Sequence, residues 1–347
     1  MLYGGRYGDP MTHPGPQNLI TDVDGLLVGN AEDVSARTGT TVILPNDPVA
    51  AAVDVRGGGP GTRETDALDP SCLVDRIHAL CLSGGSVFGL DAAGGVVSWM
   101  SQRGRGLALD PLPIPVVPSA ILYDLANGGD KSWGHLPPYR ALGVAACEQA
   151  GTEFPLGNVG AGYGASAAGL KGGLGSASTL TEDGIQVGAL AAVNPLGPVV
   201  MPGTSTFWAW PFEQNNELGG QKPPPVQAGD MELDLPVEGL PGTNTTLVIV
   251  ATNLDLDRAA LGRVASMAHD GIARAVRPVH TAFDGDVVFA LSTGLRPLTE
   301  DAEAFPGMLS RVGSLAADCA ARAIARGVYE AGTLGDLPGY QTAFPDR

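Results

Sequence analysis

The sequence predicts an α/β fold, and three observations carry that prediction. Short apolar runs bounded by turn residues alternate with longer segments whose small and apolar residues recur at helical spacing. The chain is 44% hydrophobic with only 5% aromatics, so its core is built from Ala, Val, Leu and close contacts at Gly rather than from large rings. From Thr245 onward the pattern is regular: strand, helix, strand, helix.

Taken in order, residues 1–17 are rich in Gly, Pro and Tyr and read as a flexible leader. They hold no apolar stretch of the kind a secretory signal needs. Leu19 to Val28, Thr40 to Leu44 and Val49 to Val55 read as strands, the last ending at the turn Gly57-Gly58-Gly59-Pro60-Gly61. Cys72 to Leu82 and Ser86 to Arg103 have helical spacing, the second despite Gly89, Gly94 and Gly95. Each such glycine costs about 1 kcal/mol against Ala, so close packing of this helix on a sheet is the expected compensation. Pro113 to Val117 reads as a buried strand, Pro138 to Ala150 as a helix, and Gly157 to Ser178 as a Gly- and Ala-dense passage with one charge, Lys171. Ile185 to Asn194 is an apolar strand with a polar end. Residues 203–243, with Trp208, Trp210 and Pro223-Pro224-Pro225, lack periodicity and form a long irregular connection, a type that is usually functional or disordered. Strand Thr246 to Thr252, helix Asp257 to Ala275, strand Val287 to Thr293 and helix Leu309 to Ala331 complete the chain.

Composition narrows the function. At 347 residues the chain can bury a substantial core, and its Gly and Pro content stays below the low-complexity range of about 25 to 30%. A net charge of −17 repels phosphate backbones, which argues against nucleic acid as a partner. Cys72, Cys81, Cys147 and Cys319 form no CxxC, so free thiols in a reducing compartment are expected, and with them a cytoplasmic location. No apolar run reaches the roughly 18 residues of a membrane span.

Several motifs fail on their spacing. Gly160-Ala161-Gly162-Tyr163-Gly164 is not GxGxxG, no GK[ST] is present, and Ser86, Ser166 and Ser205 each miss one glycine of GxSxG. His280 with Asp284 and Asp286 has the look of a metal turn, but a lone His beside two acids is more often a hydrogen-bonded loop.

The informative stretch is Gly242-Thr243-Asn244-Thr245, which runs straight into the apolar strand Thr246-Leu247-Val248-Ile249-Val250. A cut at Asn244-Thr245 exposes an N-terminal threonine. Its hydroxyl can attack a carbonyl, and its α-amine, with a pKa of roughly 7.7 to 8 in model compounds, can take the hydroxyl proton. Three blander readings stand beside this one: an N-glycosylation sequon at Asn244-Thr245-Thr246, an ordinary strand start, and a binding or structural protein that is never cut. Lys171 reads either as a snorkelling surface lysine or as a cation that stabilises developing negative charge. Asn194 reads as a strand-ending turn residue or as an amide donor to an oxyanion, and Tyr123 as a core residue.

As an ordered set these residues resemble one family. Asn18-Leu19-Ile20-Thr21-Asp22-Val23, Leu82-Ser83-Gly84-Gly85-Ser86, Ser119 to Asp124, Gly160-Ala161-Gly162, Leu170 to Gly175, Val193-Asn194-Pro195, Asn244-Thr245-Thr246 and His280 to Asp286 are similar to motifs of the self-processing amidohydrolases. That family unites L-aminopeptidase/D-esterase, the β-peptidyl aminopeptidases and the endo-type 6-aminohexanoate-oligomer (nylon oligomer) hydrolase. The likeness runs from about 18 to 331. The Asn-Thr-Thr junction and the acidic turn look like the nylon-oligomer branch, while the Asn18 to Val23 opening and the Leu-Lys-Gly-Gly-Leu-Gly block look like the aminopeptidase branch.

The resemblance implies a four-layer αββα sandwich in which an α chain (18–244) and a β chain (245–347), separated by cleavage between Asn244 and Thr245, form one domain. It implies Thr245 as nucleophile, Lys171 and Asn194 as assisting residues, Asn194 and Tyr123 as oxyanion contacts, and Asp284 and Asp286 as the supporting acidic turn. No metal or organic cofactor is implied. The expected partners are a small amide or peptide substrate and further copies of the chain, in a tetramer or larger array. Linear amides, namely 6-aminohexanoate oligomers or short peptides, are the expected substrates. An exo-acting aminopeptidase, with Asp284 or Asp286 holding the substrate ammonium, is the first rival, and an acyltransferase of the ornithine acetyltransferase type the second.

Overall fold

A computed structural model describes residues 12–225, 243–298 and 303–345. Its strands are β1 (Thr12–His13), β2 (Leu26–Asp33), β3 (Thr38–Pro45), β4 (Ala50–Val55), β5 (Thr62–Arg63), β6 (Leu80–Ser83), β7 (Ser119–Ile121), β8 (Ser166–Ala167), β9 (Leu170–Lys171), β10 (Gly173–Thr181), β11 (Gln186–Asn194), β12 (Thr245–Leu254) and β13 (Val287–Arg296). The longer helices are α1 (Ala92–Ser101), α2 (Tyr139–Glu148), α3 (Arg258–Ala275) and α4 (Phe305–Tyr329). One sheet has the order β1-β10-β11-β12-β13-β4, a second β2-β3-β6-β7-β5, and β8 and β9 form a small hairpin.

Three apolar cores separate four layers. Residues of α3 and α4 pack on one face of the six-stranded sheet, those of α1 and α2 on one face of the five-stranded sheet, and the two remaining sheet faces pack on each other. This is the expected αββα sandwich. Along β12 the side chains alternate: Val248, Val250 and Leu254 enter the helix-facing core, Leu247, Ile249 and Ala251 the core between the sheets. A strand buried on both faces reads as one apolar run, which is why this segment was so legible. Helix α3 begins where Asp257 accepts a hydrogen bond from Ala260 N at 2.8 Å, an N-cap that satisfies one of the helix's free amides.

Four expectations need correction. Cys72 to Leu82 is not a helix: its end forms β6, paired to β3 and β7 in the five-stranded sheet and buried throughout, and a short run apolar on both faces carries no period to tell helix from strand. The strand expected at Pro113 to Val117 lies later, at β7, past Pro118. Leu19 to Val28 is divided between a 3₁₀ turn at Ile20–Asp22 and the start of β2. The helix expected over 86–103 begins as a 3₁₀ turn at Ser86–Asp91, whose Gly89 packs on Ile121 of β7 as expected, but Gly94 and Gly95 of α1 serve helix-to-helix contact, a Cβ on Gly95 standing 2.0 Å from the Arg140 carbonyl oxygen of α2.

Residues 12–17 of the expected leader are tied down. Thr12 and His13 pair with Thr181 and Leu180, and Gly15 N donates to Ser178 Oγ. Residues 1–11 of that leader and 226–242 of the irregular connection lie outside the described residues. The described part, 203–225, holds one 3₁₀ turn at Trp210–Phe212 and no longer element. All four cysteines are free, and among the described residues no helix is long and apolar enough to cross a membrane.

Candidate active site

The register of the six-stranded sheet brings Asn194, the last residue of β11, opposite Thr245, the first of β12. Thr245 is 2% exposed. Its Oγ1 donates to the Asn244 carbonyl oxygen at 2.5 Å, and Gly285 N donates to the same oxygen at 2.8 Å. The carbonyl of the expected scissile bond is thus held between the expected nucleophile and a backbone amide aimed at its oxygen. A Cβ on Gly285 would lie 2.6 Å from Thr245 Oγ1 and 2.9 Å from the Gly59 carbonyl oxygen, so only glycine leaves room for the hydroxyl.

Asn194 braces the approach to this bond. Its Nδ2 donates to the Tyr123 and Thr243 carbonyl oxygens, each at 3.2 Å, and its Oδ1 accepts from Ser166 N at 2.9 Å. Tyr123 meets Asn194 through its backbone carbonyl. In this intact chain the amide facing the Asn244 carbonyl oxygen is Gly285 N–H, while the Asn194 amide is occupied by two other carbonyls.

The turn at 281–286 is saturated with hydrogen bonds. Asp284 Oδ2 accepts from Thr281 N (2.9 Å) and Thr281 Oγ1 (2.6 Å), and Oδ1 accepts from Leu196 N (3.3 Å). Asp286 Oδ1 accepts from Thr246 N at 2.7 Å, and Oδ2 from His280 N at 3.0 Å and His280 Nδ1 at 2.8 Å. The glycine turn after β4 closes over it, Gly59 N donating to the Asp284 carbonyl and Gly57 N to that of Asp286. Burial, then the nearby Asp286 charge, raises the Asp284 carboxyl above its ordinary range. Both carboxylates are buried and committed to the turn, so neither is free to hold a substrate ammonium, the task the exo-acting rival gave them.

Lys171 is not a snorkelling surface residue. It is fully buried, and Nζ donates to the Gly162 (3.0 Å) and Gly172 (2.7 Å) carbonyl oxygens. Burial pushes its pKa down to about 7, against the pull of Asp124. At neutral pH it is therefore divided between amine and ammonium rather than a fixed cation. Three contacts link it to the nucleophile: its strand partner is Ser166, Ser166 N donates to Asn194, and Asn194 pairs with Thr245.

The sequence does not point to Asp124 or Gly285 individually, offers His280 only as a candidate metal ligand, and excludes Ser166 only as a GxSxG serine. Asp124 is buried, accepts from Thr38 Oγ1 (2.6 Å) and Gly85 N (2.8 Å), and is pushed up to about 6 by burial despite those donors. Its one sequence signal was its place directly after Tyr123. Beside these residues opens a cleft of about 600 Å³, lined among others by Arg37, Tyr123, Asn127, Ser166, Thr243 and Asp336. Among the described residues no cluster of three or more His, Cys, Asp or Glu is placed to hold a metal.

The sandwich and the amide-bond site define the class: a hydrolase of amide bonds with an Ntn-hydrolase architecture. The chain belongs to peptidase family S58, whose model matches residues 18–341. An uncharacterised aminopeptidase of Mycobacterium tuberculosis is 42% identical over 94% of this chain and 98% of that protein. The 6-aminohexanoate-oligomer endohydrolase of Paenarthrobacter ureafaciens is 30% identical over 84% of this chain and 81% of that protein. Among solved structures, the L-aminopeptidase D-Ala-esterase/amidase of Ochrobactrum anthropi, described as a prototype of the serine aminopeptidases and a variant of the Ntn hydrolase fold, superposes with a TM-score of 0.68. It is 26% identical and covers 95% of this chain and 91% of its own.

Proposed function

We propose that the protein cuts itself between Asn244 and Thr245 and then uses Thr245 as an N-terminal nucleophile on linear amides. The observation that carries this reading is the Asn244 carbonyl oxygen, held at 2.5 Å by Thr245 Oγ1 and at 2.8 Å by Gly285 N. In the first step Thr245 Oγ1 bonds to the Asn244 carbonyl carbon as the C–N bond breaks, leaving an ester and a free Thr245 amine. Water then cleaves the ester, freeing the Asn244 carboxylate. The uncut chain has no amine at Thr245; Lys171, its pKa lowered to about 7 by burial, is the base assigned to the hydroxyl proton, which passes on to the departing Thr245 nitrogen.

After the cut, the Thr245 amine serves as base, an acyl-enzyme forms on Oγ1, and water resolves it. Gly285 N–H supplies the donor to the oxyanion in both rounds. Because Thr243 precedes the cut bond and lines the cleft, the cleft accepts the acyl side of the substrate. Its size suits an extended chain. Short peptides are the favoured substrates, supported by the aminopeptidase relative at 42% identity, with ω-amino-acid oligomers such as 6-aminohexanoate the second reading, supported by the endohydrolase at 30%. Assembly of cut units into a tetramer or larger array belongs to the same proposal, and light scattering on the purified protein tests it.

Intact-mass measurement is the decisive experiment. Two fragments meeting at 244/245 are expected, and Thr245→Ala should leave one species of 35.3 kDa. Normal cutting of that variant would overturn the assignment. Thr245→Ser should keep part of both steps, since hydroxyl and amine survive. Amino-acid p-nitroanilides assayed beside 6-aminohexanoate oligomers separate the two substrate readings, and an added amine acceptor distinguishes hydrolysis from acyl transfer.

A further inference from the structure

We infer that His280 is a positioning residue for the reaction, holding Asp286 against the backbone of Thr246 and so fixing the strand start on which Thr245 sits. This rests on Thr245 being the nucleophile. The geometry is a short chain of contacts. Asp286 Oδ1 accepts Thr246 N at 2.7 Å, one peptide unit beyond the nucleophile. The other oxygen, Oδ2, is gripped twice by one residue, from His280 N at 3.0 Å and His280 Nδ1 at 2.8 Å. A carboxylate oxygen only accepts, so Nδ1 carries the proton.

Two further features single out His280. Its φ is +55°, in the left-handed region where non-glycine residues are uncommon and His and Asn are enriched. The double contact with Asp286 is what that conformation permits. The ring is also fixed from behind, edge to face with His269 at 4.7 Å between centroids. His269 lies on α3, is 1% exposed, and hydrogen-bonds through Nε2 to the Asp54 carbonyl of β4 at 3.0 Å. Burial lowers its pKa to about 4, so it walls the His280 ring in as a neutral imidazole. The charged and titratable groups along this chain of contacts are Asp286 and its neighbour Asp284 on the turn, His269 on α3, and, on the far side of His269, Asp54 and Arg56 at the end of β4 and just beyond it.

The chain of contacts aligns two atoms in different fragments of the proposed cut protein. Helix α3 and the 280–286 turn belong to the segment after Thr245, whereas Asp54 and the glycine turn come from the segment before it. His280 is therefore placed to transmit the seating of one segment on the other to the nucleophile.

The test uses full-length protein with three substitutions, reading out cutting at 244/245 by intact mass and amide hydrolysis by kcat and KM. An Asn side chain places its NH₂ where Nδ1 stands and tolerates positive φ, whereas Gln places its NH₂ near Nε2. His280→Asn is expected to keep the cutting rate and kcat within about 3-fold of the parent. His280→Gln and His280→Ala are expected to lose about 10-fold or more in both, with KM little changed, as misplacement of a reacting group does. Equal rates for Asn and Gln would overturn the positioning role. Should the Ala variant fail to fold, the Asn against Gln comparison decides alone. If the parent itself is neither cut at 244/245 nor dependent on Thr245, the proposed function fails first, which the parent and Thr245→Ala controls reveal separately.

Discussion

The turn at 281–286 and the cleft beside it are neighbours built on opposite terms. In the turn, both carboxylates are buried and every oxygen is engaged with a named donor; in the cleft, Arg37 is half-buried, Asp336 is exposed, and about 600 Å³ stays open. A group that must hold a reacting atom to a fraction of an ångström needs a closed, fully bonded surround. A surface that selects among chain-like substrates needs space and adaptable polar groups. On the proposed function, chemistry and selectivity are separately encoded, and substitutions should separate them.

The largest effect is expected from removing the reacting group. Thr245→Ala should abolish cutting and lower amide hydrolysis at least about 10³-fold, as loss of a nucleophile does in other hydrolases. Gly285→Ala comes next. The added methyl would meet Thr245 Oγ1 at 2.6 Å and push the 285 amide off the Asn244 carbonyl, so a loss of about 10²-fold in cutting rate is expected from the lost oxyanion donor. A rate within 3-fold of the parent would show that the turn is less closed than its hydrogen bonds imply.

Lys171→Met should have a smaller kinetic effect and a distinct thermodynamic one. Burial lowers the Lys171 pKa from an ordinary 10.5 to about 7, so between those values the unfolded chain binds the proton and the folded one does not. Stability then rises with pH across that window, by up to about 1.4 kcal/mol per pH unit from this residue, and its burial costs most below pH 7. Urea midpoints at pH 7 and pH 9.5 should show that rise in the parent and a flatter response in the methionine variant. The smallest effect belongs to the cleft: Asp336→Asn should alter KM for substrates with a free ammonium by a few-fold and leave cutting untouched. A slowed cut in that variant would blur the boundary between the two regions.

What the sequence made legible follows the same division. Strand β12 could be read because a strand buried on both faces is an uninterrupted apolar run, and Asn194 and Thr245 could be paired with the site because each stands where such a run meets a polar turn. The αββα layering came from the resemblance and is met by three separate cores. Gly285 escaped notice because its contribution is a backbone amide, which no side-chain pattern announces. Asp124 escaped for a related reason: its partners Thr38 and Gly85 are distant in sequence, brought near only by the sheets, and His280, read as a metal-turn residue, holds Asp286 instead. Lys171 was noticed as the lone charge among small residues, yet its neutralisation by burial depends on walls that the local sequence does not describe.

The order of the six-stranded sheet bears on when the proposed cut can happen. Strands β12 and β13 lie side by side within it, with β11 on one flank and β4 on the other, so the segment after Thr245 is a wedge driven into a sheet supplied by the segment before it. Released early, each piece would present raw sheet edges, which recruit other chains. Thr245 and Gly285 grip the Asn244 carbonyl from within the wedge, while the glycine turn that locks the 281–286 turn arrives only with β4. On the proposed reading, the lock on the 281–286 turn is complete only once β4 has joined the sheet, and cutting waits on that closure.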